Sequence, residues 1–269
     1  MQFFSQLSSE MQIFLTVLLA LVMGSFCSLL SYRIFTKDKI IMTRSKCTNC
    51  GAILGILNLI PLFSYIFQRG KCDKCQGKIS LRYPLIELAF LISFLVVYFV
   101  CKPQFDYKFL LYLAITSTLI FMAVVDLEHY LIPNAAQYVL AILATLLVIV
   151  DGGTSAALIN VKAAFLYALF GGALWAFFYF VAHIDALGID DIKFFFIAGL
   201  MLGTKDFLSF MILSGVFGIV FGSTWQKMKN DETFPFAPAL CLAAFTCMLF
   251  DKKINAVDLM GSLLFFQGF

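Results

Sequence analysis

Charge is what this sequence has least of. Of its 269 residues only 13% are Asp, Glu, Lys or Arg, against 62% hydrophobic. A soluble domain averages about 25% charged and about 45–50% apolar residues. A core of this size cannot hide so much apolar surface, so the shortage excludes a soluble globular chain and leaves a polytopic membrane protein. Basic residues are missing from the first twelve, MQFFSQLSSEMQ. A cleavable signal peptide has a basic start, a short apolar core and a small-residue cleavage site. The run that follows is too long and lacks those flanks, so it reads as a retained first span. Internal repeats and low-complexity linkers are also absent.

What is present is a series of apolar runs. A membrane helix needs about 20 mostly apolar residues. Candidate spans lie at about 11–33, 85–101, 107–126, 134–150, 157–182, 192–204, 206–225 and 235–250. The expected fold is therefore an all-α polytopic membrane protein of about eight transmembrane helices, with one polar insertion. The sixth run is short. The tail 254–269 is apolar but too short to count.

The formal net charge of +3 says less than its distribution. Ten of the 19 Lys and Arg residues fall between Arg33 and Arg82, opposed only by Asp38 and Asp73. A basic block directly after a hydrophobic span reads as a cytoplasmic loop, not as a nucleic-acid site. With that loop inside and eight alternating spans, the inside holds 13 of the basic residues and the outside six. This orientation puts the N-terminus outside. Asp126, at the end of the third span, and Asp190 and Asp191, at the turn into the sixth, then fall at one cytoplasmic edge.

The insertion carries CTNC at 47–50 and CDKC at 72–75. Four thiolates at Cys47, Cys50, Cys72 and Cys75 suit a tetrahedral zinc site. The rival, a pair of disulfides, does not suit a reducing compartment. Four protein ligands leave no open position, so the metal is expected to be structural, folding a loop too small for its own core. Cys27, Cys101, Cys241 and Cys247 sit in or beside spans and read as small buried apolar residues.

Two segments place ionisable groups at membrane depth, where they are costly and point to function. They are DLEHYLIPN, 126–134, and GIDDIK, 188–193. Two carboxylates within a few ångströms do not ionise together easily and share a proton. One can act as general base on a water while the other protonates a substrate carbonyl. The same residues admit blander readings. Asp190 or Asp191 can cap the helix beginning near Ile192, and Asp126 can end a span at the headgroups. Ion or proton transport through a bundle with a zinc-stabilised loop is the functional alternative.

Order and spacing of several motifs resemble the type IV prepilin leader peptidases over nearly the whole chain. GSF at 24–26 with YRIF at 32–35 resembles the opening signature. KCTNC through ISLRYPLIEL, 46–88, resembles the tetracysteine domain. DLEHYLIPN resembles a motif of Asp, five residues, Ile or Leu, Pro, and Asp or Asn. GIDDIK resembles a G-x-G-D-x-K motif with Asp190 in place of its second Gly. FPFAPAL, 234–240, resembles a late P-F-G-P segment with Ala237 for Gly.

The resemblance implies Asp126 and Asp191 as catalytic aspartates and Cys47, Cys50, Cys72 and Cys75 as zinc ligands. Lys193 would bias the protonation of Asp191, and Pro133 and Gly188 would let the two Asp-bearing segments face each other. It implies cleavage of the basic leader of prepilins or pseudopilins after a Gly that precedes an apolar helix. Methylation of the new N-terminal residue from S-adenosylmethionine would follow, at the bacterial inner membrane. No GxGxxG-type cradle for a methyl donor is present. Phe194 to Phe196 are expected to face lipid or the substrate helix. The expected domains are a first span (1–34), the cysteine insertion (35–84) and a transmembrane core (85–269).

Overall fold

The computed structural model describes residues 8–36, 44–101, 106–183, 187–229 and 233–250. The apolar tail 254–269 and part of the basic loop, 37–43, lie outside the described residues. Among those described the chain is helical, without a named strand. The helices are α1 (Ser9–Thr36), α2 (Phe63–Phe67), α3 (Arg82–Cys101), α4 (Tyr107–His129), α5 (Asn134–Phe177), α6 (Ile189–Leu202), α7 (Phe207–Lys229) and α8 (Ala237–Phe250). They form two compact units, Met1–Phe109 and Leu110–Phe269.

In the first unit α1 packs on α3. α1 offers a seam of small residues, Ala20, Gly24, Cys27, Ser28 and Ser31, at helical spacing. α3 answers with Phe90, Phe94 and Val97. Small residues let apolar helices approach closely, and a Cβ added at Gly24 would lie 2.9 Å from the Glu87 Cα. The seam ends in polar ties. The Arg82 guanidinium donates to the Ser28 carbonyl at 3.2 Å and to the Ser31 hydroxyl at 2.7 Å. The buried Glu87 carboxylate accepts the Leu62 N–H at 2.7 Å, which secures the cysteine insertion to α3.

In the second unit α6 lies against α5, and α8 against both α6 and α7. The continuous helical run Asn134–Val181 has 48 residues, or about 72 Å at 1.5 Å per residue. That is more than twice the ~30 Å hydrocarbon core. It is broken at Gly153 (φ 74, ψ −175), a conformation that favours glycine, so two expected spans are one run with a break. Gly199 of α6 approaches the backbone of Ala163 and Ala164 so closely that a Cβ would fall 2.6 Å from the Ala164 Cα. Among the described residues five helical segments are long and apolar enough to cross a membrane, counting Asn134–Val181 once. α6 and α8, 14 residues each, match the remaining two expected spans but are shorter. The protein is an all-α multi-pass membrane protein.

Candidate active site and metal centre

Asp126 sits one turn before the end of α4. The Tyr130 N–H closes on its carbonyl at 2.9 Å, and Tyr130, at φ 55, ends the helix. α4 continues three residues past Asp126 to His129, and Asp126 is only 6% exposed. Its Oδ2 accepts the backbone N–H of Ala237 at 2.9 Å. Ala237 opens α8, and the first N–H groups of a helix have no acceptor within it. The carboxylate supplies one, with the sign of charge that a helix N-terminus favours.

Asp191 is the third residue of α6. Its Oδ2 accepts the Gly188 N–H at 2.9 Å, the backward arm of a capping box. Gly188 has ordinary extended dihedrals (φ −77, ψ 155) that any residue adopts. It provides a donor and closeness: a Cβ there would lie 3.3 Å from the Asp191 Oδ2. α8, whose first N–H holds Asp126, packs against α6, which carries Asp191, and Cys241 lies one turn into α8. These side chains therefore share one neighbourhood.

Lys193 is held elsewhere than expected. Its ammonium donates to the Asp190 Oδ1 at 2.7 Å and to the Asn134 Oδ1 at 2.9 Å. Asp190, the residue out of pattern, is thus its ion-pair partner. Gln137, 2% exposed, donates its Nε2 to the Asp190 carbonyl at 3.2 Å. Pro133 precedes Asn134 in extended conformation (φ −62, ψ 124) and starts α5, so the LIPN and GIDDIK segments are tied directly. Phe194 and Phe195 are 1% and 2% exposed, inside the bundle and not on lipid. They are buried because α6 packs between α5 and α8.

Five helix ends meet here: the last turns of α4 and α7 and the first turns of α5, α6 and α8. A further tie is the Trp225 indole, donating to the Tyr130 hydroxyl at 3.2 Å. Sequence reasoning missed Ala237, Gln137 and Asn134. Two carried a signal. FPFAPAL, with prolines on both sides of Ala237, marks a helix start, and Asn134 follows Pro133 as an N-terminal residue of α5.

In the first unit the Sγ atoms of Cys47, Cys50, Cys72 and Cys75 all lie within 4.8 Å of one another. The turns that carry them are near copies. Cys47 N–H bonds the Ala52 carbonyl and Gly51 N–H that of Cys47. Cys72 N–H bonds the Gly77 carbonyl and Gln76 N–H that of Cys72. The Cys47 and Cys75 sulfurs are 3.9 Å apart, close to the ~3.8 Å edge of a tetrahedron with ~2.3 Å metal–sulfur bonds. The Cys50 and Asn49 N–H groups hold the Cys47 thiol down to about 6. At Cys75 the Gly77 N–H also favours the thiolate, but desolvation and three neighbouring thiols push it up to about 11. Four thiolates this close need a cation, and the cluster fits one. Cys27, Cys241 and Cys247 are buried, as expected of apolar residues, and Cys101 is half-buried.

Residues 18–125 match the Bacterial Peptidase A24 N-terminal domain, and residues 113–223 match the Type IV leader peptidase family. A prepilin leader peptidase/N-methyltransferase of Bacillus subtilis is 31% identical over 245 residues, covering 87% of this chain and 92% of that protein. The chain belongs to the type IV leader peptidase family. Further relatives of the same name occur in Stutzerimonas stutzeri (30% identical, 80% of this chain and 74% of that protein) and Pseudomonas aeruginosa (27%, 94% of each). No solved structure matches the chain. The two family matches together take in the cysteine insertion and both Asp-bearing segments of this leader peptidase family member.

Proposed function

We propose that this protein is a prepilin leader peptidase of the aspartic type, with Asp126 and Asp191 as its catalytic pair. The observation that carries the reading is their anchoring. Each has one oxygen fixed by a backbone N–H, from Ala237 and from Gly188, at a place where five helix ends converge. The other oxygen of each is left for a reactant.

With one carboxylate ionised and its partner protonated, the ionised one takes a proton from water as the water oxygen bonds to the scissile carbonyl carbon. The protonated one gives its proton to the carbonyl oxygen. Collapse of the tetrahedral adduct breaks the C–N bond, and the departing amine takes a proton from the pair. Asp190, neutralising Lys193 and bonded through its carbonyl to Gln137, holds the α6 start and takes no part in the proton transfers.

Membrane topology supports the same substrate. The positive-inside rule puts the 34–84 loop and the Asp126 and Asp191 ends on the cytoplasmic side. A basic leader would stay in that compartment, with the apolar segment after the scissile Gly in the bilayer of the inner membrane. Transport sites usually lie near the midplane, whereas these acids gather at helix ends. The four cysteines would hold a structural zinc that folds the insertion.

The relatives' name carries a second activity, methylation of the new N-terminus, for which S-adenosylmethionine would supply the methyl group. The described residues contain no strand-to-helix glycine cradle, and no methyl-transfer residue is assigned. The test is mass spectrometry of a purified prepilin segment after incubation with the protein. Cleavage after Gly supports the reading, and a one-methyl gain on the product when S-adenosylmethionine is added supports the second activity. An intact substrate would contradict both.

A further inference from the structure

The second unit contains a cavity of about 580 Å³ whose lining includes close sequence neighbours of both Asp191 and Ala237. Its walls include Phe195, on the turn after Asp191, and Phe234 and Phe236, the latter one peptide bond from the N–H that holds Asp126. The floor is a stripe of small residues on α7, Ser214, Gly218 and Gly222, spaced by four. The Phe236 ring lies where a Cβ on Gly218 would stand (2.8 Å) and the Phe234 ring against Gly222 (3.1 Å). Beside them Gly215 faces open space. A stripe of small residues in an apolar bundle admits close approach of another helix. Among the described residues no helix of this unit fills its open part.

We propose that this groove seats the apolar segment of the substrate on the C-terminal side of the scissile bond. The inference rests on the leader-peptidase reading above. A 20-residue helix ~10 Å across and ~30 Å long fills over ~2,000 Å³, so the groove takes one face of its first turns and not the whole. Polarity gives the direction. The polar lining residues Ser223 and Gln226 lie toward the α7 end that meets Tyr130, and deeper, around Met211 and Phe195, the one polar side chain is Ser214, whose hydroxyl is taken up by the Met211 carbonyl at 3.0 Å. A chain that turns from polar to apolar at the cleaved bond fits with its leader toward Gln226. Because Phe236 is both groove wall and the neighbour of Ala237, seating the substrate also bears on the bond that aims Asp126.

The test uses the purified full chain and two substrates, a whole prepilin and a truncated form ending a few residues after the cleaved bond. Ser214→Leu and Gly215→Leu fill the groove. Each is expected to lower the ratio of kcat/KM for the whole prepilin to that for the truncated form about tenfold, the worth of one large apolar side chain. The effect should lie in KM. Val216→Leu, on the exposed flank of α7, should leave the ratio unchanged. Independently of folding in those variants, a photo-reactive residue in the first apolar turn of the prepilin should cross-link to Met211–Gly222 in the otherwise unaltered chain. An unchanged ratio in a folded filling variant, or no cross-link to α7, would overturn the groove and leave it to lipid. Failure of the unaltered chain to cleave either substrate would instead overturn the peptidase reading, and the groove proposal with it.

Discussion

Asp190 and Asp191 are adjacent, the same residue type, and separated in role only by what each touches. Asp190 is spent on Lys193, while Asp191 folds back on Gly188, on a helix that packs against the α8 whose first N–H holds Asp126. The account therefore predicts that Asp190→Gly keeps cleavage within about tenfold, because it removes an anchor and no proton carrier. A loss as deep as that of Asp191→Asn, in protein that elutes normally, would show that the wrong neighbour was chosen. Ala237→Pro is a sharper probe. Proline is tolerated at the first helical position but removes the N–H on Asp126. A hydrogen bond to a charged group is worth about 1.5–3 kcal/mol, so kcat should fall roughly 10–100-fold with folded yield preserved. Unchanged kcat would dismiss the anchor. The acids were legible as residues because charge at membrane depth is rare. Their anchors were not: a backbone N–H has no letter in the sequence, and the partner of Asp126 lies 111 positions away.

At the scale of elements, the eight expected spans all have helical counterparts, because runs of about 20 apolar residues leave few alternatives in lipid. What the runs did not show is how they join. Gly153 breaks one long helix where two separate ones were expected, and α6 buries Phe194 and Phe195, which were expected to face lipid or the substrate helix, since a helix apolar on every side does not advertise which face is inside. The α5–α6 contact supplies a stability prediction. Gly199→Leu forces a side chain into the Ala164 backbone and should destabilise the fold by about 1–3 kcal/mol or more, seen as a lower thermal midpoint in detergent. An unchanged midpoint would mean that this packing is looser than described. The cysteine turns were the most legible element, because paired C-x-x-C spacing states its own geometry. Cys47→Ser with Cys50→Ser should abolish bound zinc, measured by elemental analysis, and cut folded yield more than cleavage per folded molecule. Full zinc content in that variant would refute the metal assignment.

For the whole molecule, the claim is that a membrane protein of the leader peptidase family works as a two-aspartate hydrolase at one end of a helix bundle. Composition and motif order led to the family and the multi-pass architecture. They could not yield the convergence of five helix ends, which depends on packing between segments far apart in sequence. Ion or proton transport would use the same acids differently, so the variants that decide are ones that change charge and little else. The most direct measurement compares the unaltered protein with Asp126→Asn and Asp191→Asn, each checked for normal elution, for cleavage of one prepilin substrate by mass spectrometry. The account predicts that each single change lowers the rate by about 10²–10⁴-fold or more, the range for losing a positioned acid or base. Cleavage persisting at near-normal rate in either folded variant would contradict it.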